Sequence, residues 1–201
     1  MDVSLYETEY KKKKHFSFGK NWQSFLKTLN EERIKEAKKS LTEFLGRIKG
    51  KTFIDVGCGS GLFSLAAHQL GARVVSVDVD DYSLQCAQYL KDKYGDKNWT
   101  IRKGSALDEE FIKSLGKYDI AYSWGVLHHT GSMWKAIKTV SQLAKPKGLF
   151  YTAIYNNNTK YKLEGTSKLW KTVKKIYNNT NFLFKKIMYF TYLSYLLLGI
   201  T

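Results

Sequence analysis

The chain has 201 residues, a net charge of +15, one proline and two cysteines, Cys58 and Cys86. That length holds one α/β domain with a substantial core, and two cysteines exclude a disulfide framework or a cysteine-built metal cluster, reading instead as small buried residues of a reducing cytoplasm. The charge is lopsided: from Ala121 onward twelve lysines face one acid, Glu164, giving +11 there and +4 before it, so the surface either favours anionic partners or simply keeps a lysine-rich protein soluble.

Residues 1 to 15 are polar, and Lys11 to Lys14 lead into no apolar core segment, so no secretory leader is expected. Phe16 to Trp22 interleaves aromatics with Lys20 and Asn21. It reads either as a lid over an acceptor or as an amphipathic helix packed on the core. Asn30-Glu31-Glu32 is an N-cap with acids in the first turn. The helix it opens places Ile34, Ala37, Leu41, Phe44, Leu45 and Ile48 on one face, with Gly46 or Gly50 to end it. Strands are then expected near 52–57, 73–78, 98–103, 118–123 and 148–155. Helices are expected near 60–70, 81–94, 108–115 and 132–145, with Gly71 stopping the first and Pro146 following the last. Such alternation predicts a parallel sheet.

After the fifth strand the pattern changes. Ser167 to Tyr177 reads as a basic amphipathic helix, with Leu169, Trp170, Val173, Ile176 and Tyr177 on one side and Lys168, Lys171, Lys174 and Lys175 off it. Phe182 to Ile200 is mostly apolar, but its uncharged stretch from Ile187 to Ile200 is fourteen residues, short of the about 20 that a membrane span needs.

The stretch that points to chemistry is Phe53 to Ser64. A short apolar run ends in Asp55, followed by glycines at 57, 59 and 61 and the start of a helical pattern at Ser60. Glycines let the backbone turn sharply and approach a ligand, and the helix start turns free N–H groups toward it. The spacing differs from the nicotinamide and flavin pattern, whose third glycine would stand where this chain has Leu62. Twenty-three residues after Asp55, the run Arg73 to Val77 ends in Asp78, a second buried strand with an acid placed for ribose hydroxyls.

Together these motifs resemble the class I S-adenosylmethionine-dependent methyltransferases. Asp55-Val56-Gly57-Cys58-Gly59-Ser60-Gly61 matches that family's first motif and Asp78 its ribose-binding acid. Gly104 to Asp108 matches the adenine-edge motif, with Ser105 where many members carry an acid. Tyr118 to His129 matches the fourth-strand motif, and Gly148 to Ile154 looks like the fifth strand. The resemblance covers residues 18 to 156 and is nearest the small-molecule branch typified by quinone-biosynthesis methylases. It implies an α/β, Rossmann-like, doubly wound and mostly parallel sheet with N-terminal helices; the chain departs from the family after the fifth strand, where a helical C-terminal segment stands and the last strand hairpin is lacking. The expected organisation is an extension and lid over 1–30, a cofactor-binding core over 31–156 and a basic, apolar helical segment over 157–201.

The resemblance also assigns roles. S-adenosylmethionine is the cofactor, held by Asp55, Gly57, Cys58, Gly59, Gly61, Asp78, Val79, Ser105, Ala106, Ser123 and Trp124. His128 and His129 follow the fourth strand at the sheet's carboxyl edge, where ligands bind in such folds, and a neutral imidazole is a suitable base for a hydroxyl acceptor. No metal is expected, because adjacent histidines on a helix start point different ways and no acid–histidine cluster surrounds them. Lys20, Asn21, Trp22, Tyr151, Tyr155 and Asn156 are candidate acceptor contacts. Asn156-Asn157-Asn158-Thr159 lacks the Asn-Pro-Pro-aromatic motif, and there is no Pro-Cys pair, so a nucleobase acceptor is disfavoured. The expected activity is methyl transfer, O-directed, to a small acceptor that is anionic and sugar-like or quinol-like. The alternatives are a membrane-surface enzyme with a lipid-linked acceptor and a cofactor-binding protein that is catalytically incomplete; RNA methylation rests on charge alone. A cytoplasmic protein, peripheral to the membrane in the second reading, and a homodimer through the C-terminal segment or a sheet edge complete the expectations.

Overall fold

The computed structural model describes residues 18–156 and 167–197. The chain divides into two compact units, 1–154 and 155–201. The first contains α1 (Phe18–Leu26), α2 (Glu31–Leu45), β1 (Thr52–Val56), α3 (Leu62–Gln69), β2 (Arg73–Asp78), α4 (Asp81–Tyr94), β3 (Trp99–Lys103), α5 (Glu109–Ser114), β4 (Tyr118–Trp124), a 3₁₀ turn (Leu127–His129), α6 (Met133–Ser141) and β5 (Ala144–Ala153).

The strands form one sheet in the order β3-β2-β1-β4-β5, with every pairing parallel. β1 is central, with Ile54 opposite Val75 on one side and Ala121 on the other. The reversal of strand order beside β1 opens a crevice at the carboxyl ends, the ligand position of doubly wound sheets. One face buries Ile34, Leu41, Leu65, Leu90 and Trp99 from α2, α3, α4 and β3. The other buries Ile112, Leu127, Ala136 and Val140 from α5, the 3₁₀ turn and α6. Covering both faces explains why Phe53 and Ile54, on opposite sides of β1, are both fully buried. Each such side chain contributes about 1.5–3 kcal/mol by leaving water. The Rossmann-like sheet and flanking helices are those the sequence pattern predicts.

Helix α2 begins at Asn30, whose side chain accepts the Arg33 N–H, and ends where Gly46 turns left-handed and donates to the Thr42 carbonyl. Ile34, Ala37, Leu41, Leu45 and Ile48 are buried as expected, but Phe44 is 55% exposed. Its ring rests against Trp124 and Tyr151 instead. The helix expected over 132–145 stops at Ser141, and the fifth strand starts at Ala144 rather than 148. Pro146 therefore lies inside β5 rather than after a helix. This is tolerated because β5 is an edge of the described sheet, and the register slips between Tyr118 and Ile120, where Lys147 turns left-handed.

The second unit contains α7 (Ser167–Asn179) and α8 (Phe182–Leu197). Asn181 caps α8 by accepting the Phe184 N–H at 3.0 Å. Trp170 meets the edge of Tyr192, and the Lys185 ammonium lies over the Tyr177 ring. Taken by itself, the pair leaves Phe182, Leu183, Phe190 and Leu197 exposed. Among the described residues no helix is long and apolar enough to cross a membrane. Residues 1–17, with the polar start and Phe16 and Ser17, and the loop residues Asn157, Asn158 and Thr159 lie outside the described residues.

Candidate active site

The turn from β1 to α3 is tied down on both sides. Gly57 and Cys58 donate to the Val77 carbonyl at 2.7 and 3.1 Å, and Gly61 donates to Cys58 at 2.8 Å. Gly59 is left-handed, and a Cβ there would sit 2.9 Å from the Trp22 indole. At Gly57, with φ of +78°, a Cβ would collide with the Val126 side chain. The two glycines thus let backbone pass under a side chain from α1 and another from the loop after β4. The Cys58 thiol is buried, and burial followed by the nearby Asp78 and Asp55 pushes it well up, which makes it an unreactive thiol.

Asp78 ends β2 facing this turn. Its Oδ2 accepts the Gly59 N–H at 3.0 Å and its Oδ1 the Asp80 N–H at 3.0 Å. Burial raises its carboxyl while the backbone N–H groups of Asp80, Gly59 and Val79 pull the other way. Val79, half-buried, follows directly. The adenine-edge loop is fastened to the same residue, since Gly104 donates to the Asp78 carbonyl at 3.0 Å. Ser105 turns its hydroxyl inward to accept the Leu107 N–H at 3.1 Å, and Ala106 is buried. Gly57, Cys58, Gly59, Gly61, Asp78, Val79, Ser105 and Ala106 are therefore brought to one rim of the sheet.

Asp55 sits one layer below and is 2% exposed. Its Oδ2 accepts the Ser64 hydroxyl at 2.7 Å, Ser64 accepts from Ser76 at 2.6 Å, and Ser76 accepts the Trp99 indole N–H at 2.8 Å. Burial first, with the negative charge of Asp78 behind it, pushes Asp55 up to about 7 against the pull of Ser64. Ser123 is fully buried, its hydroxyl committed to the Val56 carbonyl at 2.8 Å, so it fastens β4 to β1.

Beyond Ser123 the chain carries Trp124 and the histidines. Tyr122, Trp124 and Tyr151 stack with interplanar angles of 6–12°. Phe63, in the first turn of α3, meets Trp124 at 5.9 Å. His128 and His129 occupy the 3₁₀ turn with ring centroids 4.0 Å apart. His128 is half-buried and His129 exposed. Burial lowers both, and His129 beside it lowers His128 further, which favours the neutral form of each ring. Among the described residues no group of three or more His, Cys, Asp or Glu could hold a metal ion. Of the acceptor candidates, Trp22 overlies Gly59 and Tyr151 joins the stack. Asn21 is exposed on α1, where the Lys20 side chain lies outside the described residues. Tyr155 and Asn156 belong to the second unit.

The sequence model of the methyltransferase-domain family matches residues 29–190. The chain belongs to that family. A ubiquinone biosynthesis O-methyltransferase of Bordetella avium is 29% identical over 120 residues, covering 60% of this chain and 49% of the relative. The chain thus spans about half the length of the curated relatives it matches. The structure of a precorrin 8w decarboxylase from Methanobacterium thermoautotrophicum aligns with a TM-score of 0.51 at 23% identity, over 60% of this chain and 63% of that one. A coclaurine N-methyltransferase, bound to N-methylheliamine and SAH, aligns with a TM-score of 0.52 at 16% identity, over 59% of this chain and 35% of that one. By family and fold the chain groups with the class I S-adenosylmethionine-dependent methyltransferases, and it is similar to the quinone-biosynthesis methylases.

The methyltransferase cradle fits its cofactor by shape and charge. The two close-packed glycines leave bare backbone beneath Val126 and Trp22, where any side chain would collide with them. Asp78 accepts the Gly59 N–H on Oδ2 and the Asp80 N–H on Oδ1, and a carboxylate offers about four acceptor positions, so it has room for a hydroxyl as well. The residues that sequence reasoning missed are Ser64, Ser76, Trp99 and Val126. The available signal was a serine alone in each of two otherwise apolar runs, Leu62 to Ala67 and Val74 to Val77, because a buried hydroxyl demands a partner.

Proposed function

We propose that this chain transfers the methyl group of S-adenosylmethionine to an oxygen of a small, quinol-like acceptor. The observation that carries the reading is the rim formed by left-handed Gly57 and Gly59, with Asp78 bonded to the Gly59 N–H. The cofactor supplies a methyl group already activated on a sulfonium. Asp78 would accept ribose hydroxyls, the backbone of Ser105 and Ala106 would meet the adenine edge, and the glycine turn would pass the methionine part. Holding two reactants in line is the protein's main task and supplies about 7–11 kcal/mol in well-oriented systems. His128, whose neutral form burial favours, would take the acceptor's hydroxyl proton on a ring nitrogen, with His129 beside it.

The acceptor class rests on the rings. Trp124 and Phe44 are 40% and 55% exposed beside the stacked Tyr151, a wall suited to a flat apolar ring rather than a sugar. The ubiquinone-pathway name of the curated relatives points the same way. A second reading, in which the acceptor is lipid-linked and met at an anionic membrane surface, is favoured by the helical pair: residues 167–197 carry six lysines and no acid. Flotation with anionic vesicles tests it, and a chain that stays out of the lipid fraction removes it.

The main test is calorimetric titration of S-adenosylmethionine and S-adenosylhomocysteine, followed by radiolabelled methyl transfer to catechol and to a matched cyclohexanediol. Micromolar binding with label on the catechol supports the proposal. A folded chain that binds neither cofactor form overturns it.

A further inference from the structure

The hydrogen-bonded run beneath the cradle has a direction. The Trp99 indole nitrogen can only donate, and it donates to Ser76 at 2.8 Å. Ser76 has one proton, and it goes to Ser64 at 2.6 Å; Ser64 in turn gives its proton to Asp55 Oδ2 at 2.7 Å. With the indole fixed as donor, this is the run that gives every hydroxyl proton an acceptor within the chain. It starts in β3, crosses β2 and α3, and ends on the first acid of the cofactor motif. Trp99 is fully buried, as are both serines, so the run is shielded from water for its whole length.

One consequence concerns Asp55. The Ser64 hydroxyl donates to Oδ2, and the Ser64 backbone N–H pulls on the same carboxyl, so the proton the carboxyl carries is assigned to Oδ1, the oxygen that the hydroxyl run does not reach. We propose that Trp99, Ser76 and Ser64 are positioning residues that hold Asp55 with Oδ1 as its one exchangeable position, and that Asp55 releases the Oδ1 proton when a cationic cofactor binds. In that step the Oδ1–H bond breaks, the proton leaves to buffer, and the electron pair stays as a carboxylate charge that balances the incoming positive charge. Nothing is oxidised or reduced.

The surroundings favour this assignment. The charged group acting on Asp55 is the Asp78 carboxylate of β2, opposed by the Ser64 hydroxyl and N–H; Asp55 in turn raises the Cys58 thiol of the turn and the Tyr122 hydroxyl of β4, which Tyr151 of β5 flanks. Among the described residues no Lys, Arg or His forms an ion pair with it. A buried carboxyl without a cation keeps its proton, and burial places this one up at about 7. A cation delivered by the cofactor is the missing partner. The inference rests on the cofactor reading proposed above.

The test has two arms. In the empty protein, labelled with ¹⁵N-tryptophan, the Trp99 indole N–H resonance should titrate with a midpoint near 7. That titration should vanish in Asp55→Asn, and the resonance should move in Ser76→Ala. In the second arm S-adenosylmethionine is titrated calorimetrically in two buffers of different ionisation enthalpy. Binding should release a fraction of a proton near neutral pH, with affinity rising up to ten-fold per pH unit below the midpoint. Ser64→Ala should shift that midpoint upward, Ser76→Ala and Trp99→Phe should shift it less, and Ser64→Thr should restore it. A merely structural role would lower the melting temperature and leave every midpoint in place, which would overturn the proposal. Binding without proton release would overturn it too. A chain that binds no cofactor would remove the cofactor reading instead, while an indole resonance that is flat with pH would overturn the relay by itself.

Discussion

The two ends of the sheet treat their carboxylates in opposite ways. At the cradle, Asp55 and Asp78 are raised by burial, and their hydrogen-bond donors are neutral hydroxyls and backbone N–H groups. At the far end, Asp119 is held well below the usual carboxylate range, by Lys145 above all and then by the Thr52 N–H and hydroxyl. Asp119 thereby staples β1, β4 and β5 together, with contacts of 2.7–2.8 Å. One end supplies its own cation and is finished when the chain folds. The other is left short of positive charge, as expected of a site that receives a cationic ligand.

The largest expected effect sits at the unfinished end. Asp78→Ala removes the acceptor for ribose hydroxyls and releases the Gly59 N–H. Charged hydrogen bonds contribute about 1.5–3 kcal/mol each, so cofactor affinity should fall at least ten-fold, as read by titration of S-adenosylhomocysteine. An unchanged dissociation constant would break the comparison outright. Gly57→Ala should follow closely. A left-handed alanine costs about 1–3 kcal/mol, and its methyl group must also displace Val126. A roughly ten-fold loss of affinity with the fold retained by circular dichroism is expected; full affinity would mean that the turn yields without cost.

The finished end should answer in stability and not in binding. Asp119→Asn removes a carboxylate that is partly open to solvent, so the loss at pH 7 should be about 1–2 kcal/mol, below the full value of a charged hydrogen-bond set. A depressed folded-state value stabilises above the unfolded carboxylate pKa of about 4 and loses its contribution as pH falls through and below it. The difference between wild type and Asp119→Asn in urea unfolding should therefore shrink at pH 3. Asp55 carries the opposite sign. Its raised value means a contribution that is full below pH 4 and lost as pH rises toward about 7. Asp55→Asn should flatten that slope, and two variants with parallel pH slopes would refute the contrast.

Much of this was legible in the sequence, for a physical reason. The rim is written in short-range spacing: glycines two apart, an acid at a strand end and apolar runs of strand length. Asn30 and Gly46 cap α2 by chemistry local to the chain. The relay was not legible, because Ser64 and Ser76 are twelve residues apart and Trp99 a further twenty-three along; only sheet order makes them neighbours. Phe44 shares the apolar period of α2 yet faces outward, since periodicity identifies a face but not how far its neighbours reach. Pro146 read as a helix terminator because its edge-strand setting depends on β5 having no further described neighbour. The role of α7 and α8 stays unwritten for the same reason: amphipathicity specifies a helix, not what it meets.

The smallest effect is expected at Trp22, and there the sign decides more than the size. The indole lies over Gly59, close enough that a single methyl group on the glycine would touch it at 2.9 Å. Its ring is held edge-on by Phe25 at 5.9 Å, and Phe25 is held in turn by the Arg33 guanidinium. A ring braced in this way covers the glycine turn from the side opposite its backbone, where the proposed cofactor would lie under it. Aromatic contacts of this kind contribute about 0.5–1.5 kcal/mol, so Trp22→Ala should weaken S-adenosylhomocysteine two- to ten-fold and lose part of the fluorescence change on binding. If affinity rises instead, the indole occupies the ligand's own space and must swing away before binding. If neither affinity nor fluorescence responds, Trp22 serves only to pack α1, and the cradle is closed by Val126 and its own turn alone.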